Sequence, residues 1–396
     1  MKIVHIQIGP YSENWAYHEN LLPKYHRKLG YEVTHVTFSL ALSKSGKLIV
    51  SSEGMFVNGD GVKVVRLPHS RFLPVKLAYR LGLVNGLRKI LRAEKPDLIY
   101  VHGAQRISNL ELVRYLRECM KSHKKPILLV DNHADEFNSA RNWLSRLIHK
   151  TLWRFVVKQL DRYATAFYAV NEACKNFLIR YYRLSPDRIE ILPMGGDPDW
   201  FSPQNRNLVR RMLGISDDDF VMITGGKIDA NKKTIELMEV VSKLPFEKIK
   251  LLIFGSVHES LRSRFNELLE QNKDRIRFVG WLSPKDMYSY FVAVDLGVFP
   301  GTQSVIWNHA IFCGLPLVLK RWPGMVDFTF NGKYSPCLLI DDVSELESVL
   351  YSVLTDFKLY EKMKKDASQV RGFFSYEYLA MTTLQRANDK KEHVAY

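Results

Sequence analysis

Cysteine is scarce in this chain. Its 396 residues include four, Cys119, Cys174, Cys313 and Cys337, widely scattered and without CxxC or zinc-type spacing. That excludes a disulfide scaffold and the common structural zinc sites, and it favours a reducing compartment. Long apolar runs are also missing: none reaches the ~18 residues that would span a bilayer. The opening MKIVHIQIG is a short strand-like run, too soon interrupted for a secretory leader, so none is expected. Low-complexity tracts and short-period repeats are absent. Acid is in deficit: 42 Asp and Glu face 57 Lys and Arg, a net charge of +15. Such an excess points to an anionic partner, which could be nucleic acid, an anionic membrane face or a phosphorylated ligand. No RNP, zinc-finger or helix-turn-helix signature supports nucleic acid, and none is expected as a partner.

What the sequence does have is alternation. The hydrophobic share of 46% and charged share of 25% are those of a globular protein, long enough for two or more cores. KIVHIQIG, YEVTHVTF, VKVVRLP, PDLIYVHG and PILLVDNH read as strands, with helical stretches between them such as NLELVRYLRECMKSH. After a Pro- and Gly-rich joint near 185–206 the pattern restarts with FVMITGG, KIKLLIFGS, IRFVGW, VDLGVFPG and LPLVLK. Strands alternating with helices imply βαβ units and mostly parallel sheets, here two doubly wound domains. Ligands of such sheets sit beyond the carboxyl ends of the strands, among loops and helix starts.

Several stretches fall at such ends. TGGKIDANKKT (224–234) pairs Gly225 and Gly226, which allow close backbone approach, with Lys227 and Lys232 or Lys233, whose ammonium groups would neutralise a diphosphate. The alternative is a solvated basic turn. VGWLSPKDMYSYF (279–291) sets Trp281 and Leu282 after a strand, where a backbone edge could meet a base; the alternative is a Trp packed in the core. FPGTQSVIWNHAIFCGLPLVL (299–319) runs from a strand through a polar loop into a short helix, with Thr302 or Ser304 as cap and His309 one turn deeper. VDNHADEFNSARNW (130–143) places His133 past a strand, suited to donate a proton or hydrogen bond, while Asp135 and Glu136 suit a helix start. A single His there does not make a metal site. GDPDWF (196–201) reads as a turn, not a metal-binding DxD. Two stretches, 70–92 and 140–162, interleave basic with bulky apolar residues, as interfacial helices on anionic lipid do; core-facing helices with a solvated basic side are the alternative.

The ordered set of these motifs resembles the retaining nucleotide-sugar glycosyltransferases of family 4, the group 1 glycosyltransferases. YSENWAYHENLLPKYHRKLGYEVTHVT resembles their first loop and helix, PILLVDNHADE the strand bearing their active-site His, and ILPMGGDPDWFSP their linker. TGGKIDANKKT, IRFVGWLSPKDMYSYF and SVIWNHAIFCGLPLVL resemble three donor-site motifs in order. The resemblance implies a GT-B architecture: two doubly wound Rossmann-like α/β domains facing each other across a cleft. Residues 1–190 would form the acceptor-binding domain, joined by a C-terminal helix at about 375–396. Residues 200–372 would form the nucleotide-sugar-binding domain.

It further implies that His133, Lys227 and Lys232 are catalytic. The donor would be held by Gly226, Lys227, Lys232, Trp281, Leu282, Gln303, Ser304, Val305 and His309, and the acceptor by Tyr11, Asn14 and Tyr17. Two Glu of the family pattern are missing: Gly301 stands at the first position, with Gln303 nearby, and His309 at the second. The paired glycines of the family's first loop are missing too. The expected activity is transfer of a hexose from a nucleoside-diphosphate sugar, UDP-linked, to a lipid-linked or polysaccharide acceptor such as lipopolysaccharide or capsule. It would run without a metal, on the cytoplasmic, inner face of the cell membrane. A non-catalytic subunit that binds a nucleotide-sugar or glycan is the alternative from another class, and a nucleotide-sugar epimerase a third reading.

Overall fold

The structure, a computed structural model, describes residues 1–13, 15–42, 48–69, 73–122 and 125–392. It divides into two units, one of residues 1–193 with 379–396, the other of residues 194–378. The last helix, Tyr376–Glu392, therefore belongs mostly to the first unit.

The first unit is built on an eight-stranded sheet. From one edge its strands are Ile189–Ile191, Ala166–Ala169, Ile127–Asn132, Leu98–His102, Lys2–Gln7, Glu32–Phe38, Lys63–Leu67 and Gly54–Val57. All neighbours pair in parallel except the edge pair Gly54–Val57 and Lys63–Leu67. Parallel strands need helical crossovers, which cover both faces, so the strands read as near-continuous apolar runs. Leu98–His102 and Ile127–Asn132 are buried along their whole length. Strand order reverses between Lys2–Gln7 and Leu98–His102, which makes that junction the switch point where ligands of such sheets bind.

The second unit has six parallel strands in the order Ile276–Gly280, Ile249–Val257, Phe220–Ile228, Leu296–Phe299, Leu317–Lys320, Cys337–Ile340. Alternation along each strand feeds two cores. Val221, Ile223 and Leu252 pack on one face with Trp307 and Phe312; Met222, Leu251 and Ile253 pack on the other with Leu237 and Leu350. Its switch point lies between Phe220–Ile228 and Leu296–Phe299. These sheets and two Rossmann-like units are the fold the sequence predicts.

The two basic, apolar stretches part company here. In 70–92, Gly82 (φ 61) ends the helix Val75–Leu81, and the next helix, Leu87–Glu94, buries Leu87 and Leu91 against the core. The stretch 140–162 forms the helical run Trp143–Asp161, interrupted by a π turn over His149–Trp153. Its first segment, Trp143–Ile148, buries nothing. Trp143 (74% exposed), Leu144, Leu147, Leu152 and Phe155 stand in solvent beside exposed Arg141, Arg146 and Lys150. No described helix is long and apolar enough to cross a membrane. Among the described residues all four cysteines are free, and Cys174, Cys313 and Cys337 are buried.

Candidate functional site

At the switch point of the first sheet lies a cavity of about 410 Å³, lined among others by Gln7, Glu19, His102, Gln105, Arg106 and His133. His133 follows the strand Ile127–Asn132, and its side chain is about one-third exposed. Its Nε2 lies 3.6 Å from Asp131 Oδ1. Burial alone would lower the imidazole's pKa, but the Asp131 carboxylate outweighs it and holds the pKa above the usual histidine value. Asp131 is 1% exposed. Its own burial would raise it, yet His102 and His133 together hold it below the ordinary carboxylate range. Asp135 does not start a helix as the sequence predicts. Its Oδ1 accepts from the N–H groups of Phe137 and Asn138, closing a turn, and Glu136 pairs with Arg180.

Arg106 was not singled out by its sequence. Its Nε donates to the Ile8 carbonyl (2.8 Å) and its Nη1 to the Gln105 carbonyl (2.9 Å). Among the described residues no carboxylate pairs with it. A Cβ at position 82 would lie 2.8 Å from Arg106 Cβ and closer still to Cδ, so Gly82 leaves room for this side chain. The available signal was a strand ending at Gly103 followed by polar residues. Glu19, also missed, sits in the first turn of the helix His18–Lys28.

The expected acceptor residues fare differently. Tyr11 is 2% exposed; its hydroxyl accepts from Asn58 Nδ2 (3.0 Å), its ring lies against His35, and burial pushes its pKa up to about 12. It is a core residue, which corrects the expectation that it meets an acceptor. Tyr17 is 42% exposed at the start of the helix. Asn14 lies outside the described residues.

In the second unit the strand Phe220–Ile228 carries Gly225, Gly226 and Lys227 at the end of its ladder, just before Ile228. A Cβ on Gly225 would strike the Phe254 carbonyl, and Gly226 has φ 115 with Ile306 Cδ1 2.9 Å from where a Cβ would be. Both positions need glycine. Lys227 is exposed, and among the described residues it has no ion-pair partner. Lys232, half-buried, donates from Nζ to the carbonyls of Thr302 (2.7 Å) and Gln303 (3.5 Å). Burial lowers its pKa, partly offset by Asp229. The ammonium thus ties the 302–304 loop to the turn after the strand, so Gly225, Lys232, Gly301 and Ser304 line one small pocket. Lys233 turns away (φ 57) and pairs with Glu236. Ser304 Oγ accepts from the Ile306 N–H (3.3 Å) at the start of the helix Ile306–Phe312, as a cap would, and Val305 is the residue at that helix's N-terminus. Trp281 is 72% exposed, which excludes its core reading, and Leu282 packs against the core beside it.

His309 is the clearest departure. It is 2% exposed, and its Nδ1 lies 2.8 Å from the Tyr288 hydroxyl. That hydroxyl also accepts from the Asp197 N–H (2.8 Å), so Tyr288 links the ring to that turn. Burial lowers the imidazole's pKa to about 4. His309 is a neutral core group that pins the turn Gly196–Asp197, which corrects its expected contact with the donor. The turn itself is as the sequence predicts, with Asp197 Oδ1 accepting from the Asp199 N–H (3.0 Å). Among the described residues no cluster of His, Cys, Asp or Glu could hold a metal.

Residues 20–200 match the family described as Glycosyltransferase Family 4, and residues 219–356 match Glycosyl transferases group 1. The chain belongs to the family 4, group 1 glycosyltransferases. Solved GT-B neighbours cover this family member almost end to end. The sucrose-phosphate synthase of Thermosynechococcus elongatus has a TM-score of 0.68 at 16% identity, covering 100% of both chains. The HepE protein of Anabaena, solved in complex with UDP, has a TM-score of 0.68 at 16% identity, covering 98% of this chain and 100% of its own. A curated relative, the D-inositol 3-phosphate glycosyltransferase of Stackebrandtia nassauensis, is 24% identical over 51% of this chain and 49% of its own length. The glycosyltransferase chain thus spans about half the length of the curated relatives it matches.

Proposed function

We propose that this family 4 glycosyltransferase moves a hexose, with retention, from a UDP-linked donor to a lipid-linked or polysaccharide acceptor in cell-surface glycan synthesis. The observation that carries the reading is the basic cradle at the second switch point. Gly225 and Gly226 admit no side chain at the strand's carboxyl end, Lys232 fixes the 302–304 loop, and Lys227 stands exposed and without an acidic partner among the described residues. Such an arrangement fits a diphosphate, and lysines supply the neutralising charge that a metal supplies elsewhere, so the reaction is read as metal-independent. UDP as the nucleotide rests on the likeness in fold to HepE, which was solved with UDP bound. His133, raised in pKa and open to a cavity, is the group read beside the transferred sugar, and Arg106 the cation for an acceptor with anionic character. The exposed face of Trp143–Phe155, apolar with Arg141, Arg146 and Lys150 around it, fits an anionic membrane surface, so the protein is read as peripheral on the inner face of the cell membrane.

One observation favours a second reading, a non-catalytic subunit that binds a nucleotide-sugar or glycan: neither Gly301 nor the buried His309 can offer the acidic contact of the family pattern. Incubation of the full chain with a panel of UDP-sugars and a lipid extract, read as UDP release, separates the two. The transferase reading predicts acceptor-dependent release that falls ~100-fold or more in Lys227→Ala, the scale of one lost charge-stabilising group. Binding of UDP-sugar with no release under any acceptor would favour the subunit.

A further inference from the structure

A second cavity, of about 390 Å³, opens at the end of the second unit's sheet opposite the basic cradle. Val294 and Asp295 in its wall precede the strand Leu296–Phe299, and Leu315 and Pro316 precede Leu317–Lys320. These strands run parallel to Phe220–Ile228, whose carboxyl end carries the cradle, so the cavity lies at the amino ends. A four-residue strand sets the two ends ~13 Å apart. The cavity shares no lining residue with the pocket beside Lys232 or with the cavity beside His133.

Three cations line this cavity, Arg206, Lys364 and Arg371, against the single carboxylate of Asp295. That carboxylate is already satisfied. Its Oδ1 accepts from Arg206 Nη2 (2.6 Å), and its Oδ2 accepts from Arg210 Nη1 (3.3 Å) and the Val221 N–H (2.8 Å). Arg206 is committed as well, since its Nη1 donates to the carbonyls of Val292 (3.2 Å) and Val294 (3.1 Å). The Tyr360 hydroxyl donates to the Asp295 carbonyl (3.2 Å), and burial raises both that phenol and the Cys313 thiol, so neither brings a charge. Lys364 is exposed, with Glu361 3.8 Å away. Arg371 differs from the rest. It is half-buried, its Cζ lies 3.8 Å from the centre of the Phe201 ring, and among the described residues it makes no hydrogen bond or ion pair. It also stands near Gly314, just past the helix Ile306–Phe312, where a cation suits the helix's carboxyl end. That placement accounts for the charge but gives the guanidinium N–H groups no acceptor. A guanidinium with one face on a ring keeps its edge free for an oxyanion.

We propose that this cavity is a second ligand site, for a small organic anion whose phosphate or carboxylate meets Arg371 and Lys364 and whose apolar body lies against Phe291, Leu315 and Pro316. Its volume falls in the ~300–1,000 Å³ range of small-molecule sites. A bare inorganic ion leaves the apolar wall uncovered, and a neutral apolar molecule leaves Arg371 without an acceptor. A ligand with both parts answers both. Phosphate and carboxylate offer the same paired oxygens to the guanidinium fork, and the lining accepts either. The occupant is distinct from the nucleoside diphosphate read at the cradle, because the two places lie at opposite ends of the strands.

Isothermal titration of the full chain with naphthyl phosphate, naphthoate, naphthol and inorganic phosphate tests this. Saturable binding is expected for one or both of the naphthyl anions, and which of them binds tells phosphate from carboxylate. Naphthol and inorganic phosphate, each carrying only half of the required chemistry, are expected to bind ~10-fold or more weakly. Arg371→Leu should weaken the naphthyl anion ~10-fold or more, the loss of one charge-assisted contact, whereas Lys227→Ala at the cradle keeps the wild-type affinity. Hydrogen exchange of the wild type with the bound probe needs no variant: it is expected to slow at 291–295 and 368–371 and to stay unchanged at 225–233. No saturable binding by either naphthyl anion overturns the proposal. So does an unchanged affinity in folded Arg371→Leu, or slowed exchange at 225–233 in place of 368–371. Because neither UDP nor sugar transfer enters the experiment, a failure here is distinct from a failure of the transferase reading.

Discussion

Gly301 shows how far one residue can be understood from its surroundings. The resemblance puts an acid at this position, and the structure explains why none is there. A Cβ at 301 would collide with the Asn231 carbonyl and lie 2.5 Å from Lys232 Cα, because the loop is held to that turn by the Thr302 N–H, which donates to Asn231 (3.0 Å), and by the Lys232 ammonium. Gly301→Glu and Gly301→Ala are both expected to lose about 2 kcal/mol or more in chemical denaturation, the usual scale of overpacking at a rigid site. A Gly301→Glu variant as stable as the wild type would show that the loop parts freely. The sequence made this glycine visible as an anomaly but not its cause, which lies in a turn distant along the chain, at Asn231 and Lys232. For His309 the motif gave the place in the chain and missed the partner: only the fold reveals that Tyr288 claims the ring. Likewise the sequence offered Lys232 or Lys233 as alternatives, and in the structure Lys232 bonds to the 302–304 loop while Lys233 pairs with Glu236.

Elements are where composition misled in one case and informed in the other. Two stretches share the same interleaving of base and bulk, and a pattern of that kind fits either a core-facing or an interfacial helix. In Leu87–Glu94 the apolar side is buried, while in Trp143–Ile148 nothing is. Both interleave base and bulk; what differs is whether the apolar side finds a core to cover. Exposure of the second helix leads to a prediction at this scale. Flotation with vesicles of phosphatidylcholine alone or with phosphatidylglycerol is expected to recover the protein on the anionic vesicles only, weakening as salt rises. Trp143→Ser with Leu147→Ser removes two side chains exposed by 74% and 50%, so binding should drop ~10-fold or more while the melting temperature holds. Equal recovery of variant and wild type would show that this face does not bind lipid.

The whole molecule was the most legible level. Apolar runs spaced by helical stretches forced parallel sheets, and the carboxyl ends of the strands gave the places to look. Both switch points carry the residues of interest: Gln7, His102 and Arg106 at one, Gly226, Lys227 and the 301–304 loop at the other. What stayed hidden was the cavity beside Arg371, since Arg206, Phe291 and Arg371 lie on three separate elements and no spacing connects them. The central claim is the proposal that the second unit's cradle holds a nucleoside diphosphate through Lys227 and Lys232. Isothermal titration of UDP into the full chain, with Lys227→Ala in parallel, tests it most directly. A saturable heat without added metal is expected, with an affinity ~10-fold or more weaker in the variant, the loss of one charge-assisted contact. No heat with the wild type, or one affinity for both proteins, would contradict it.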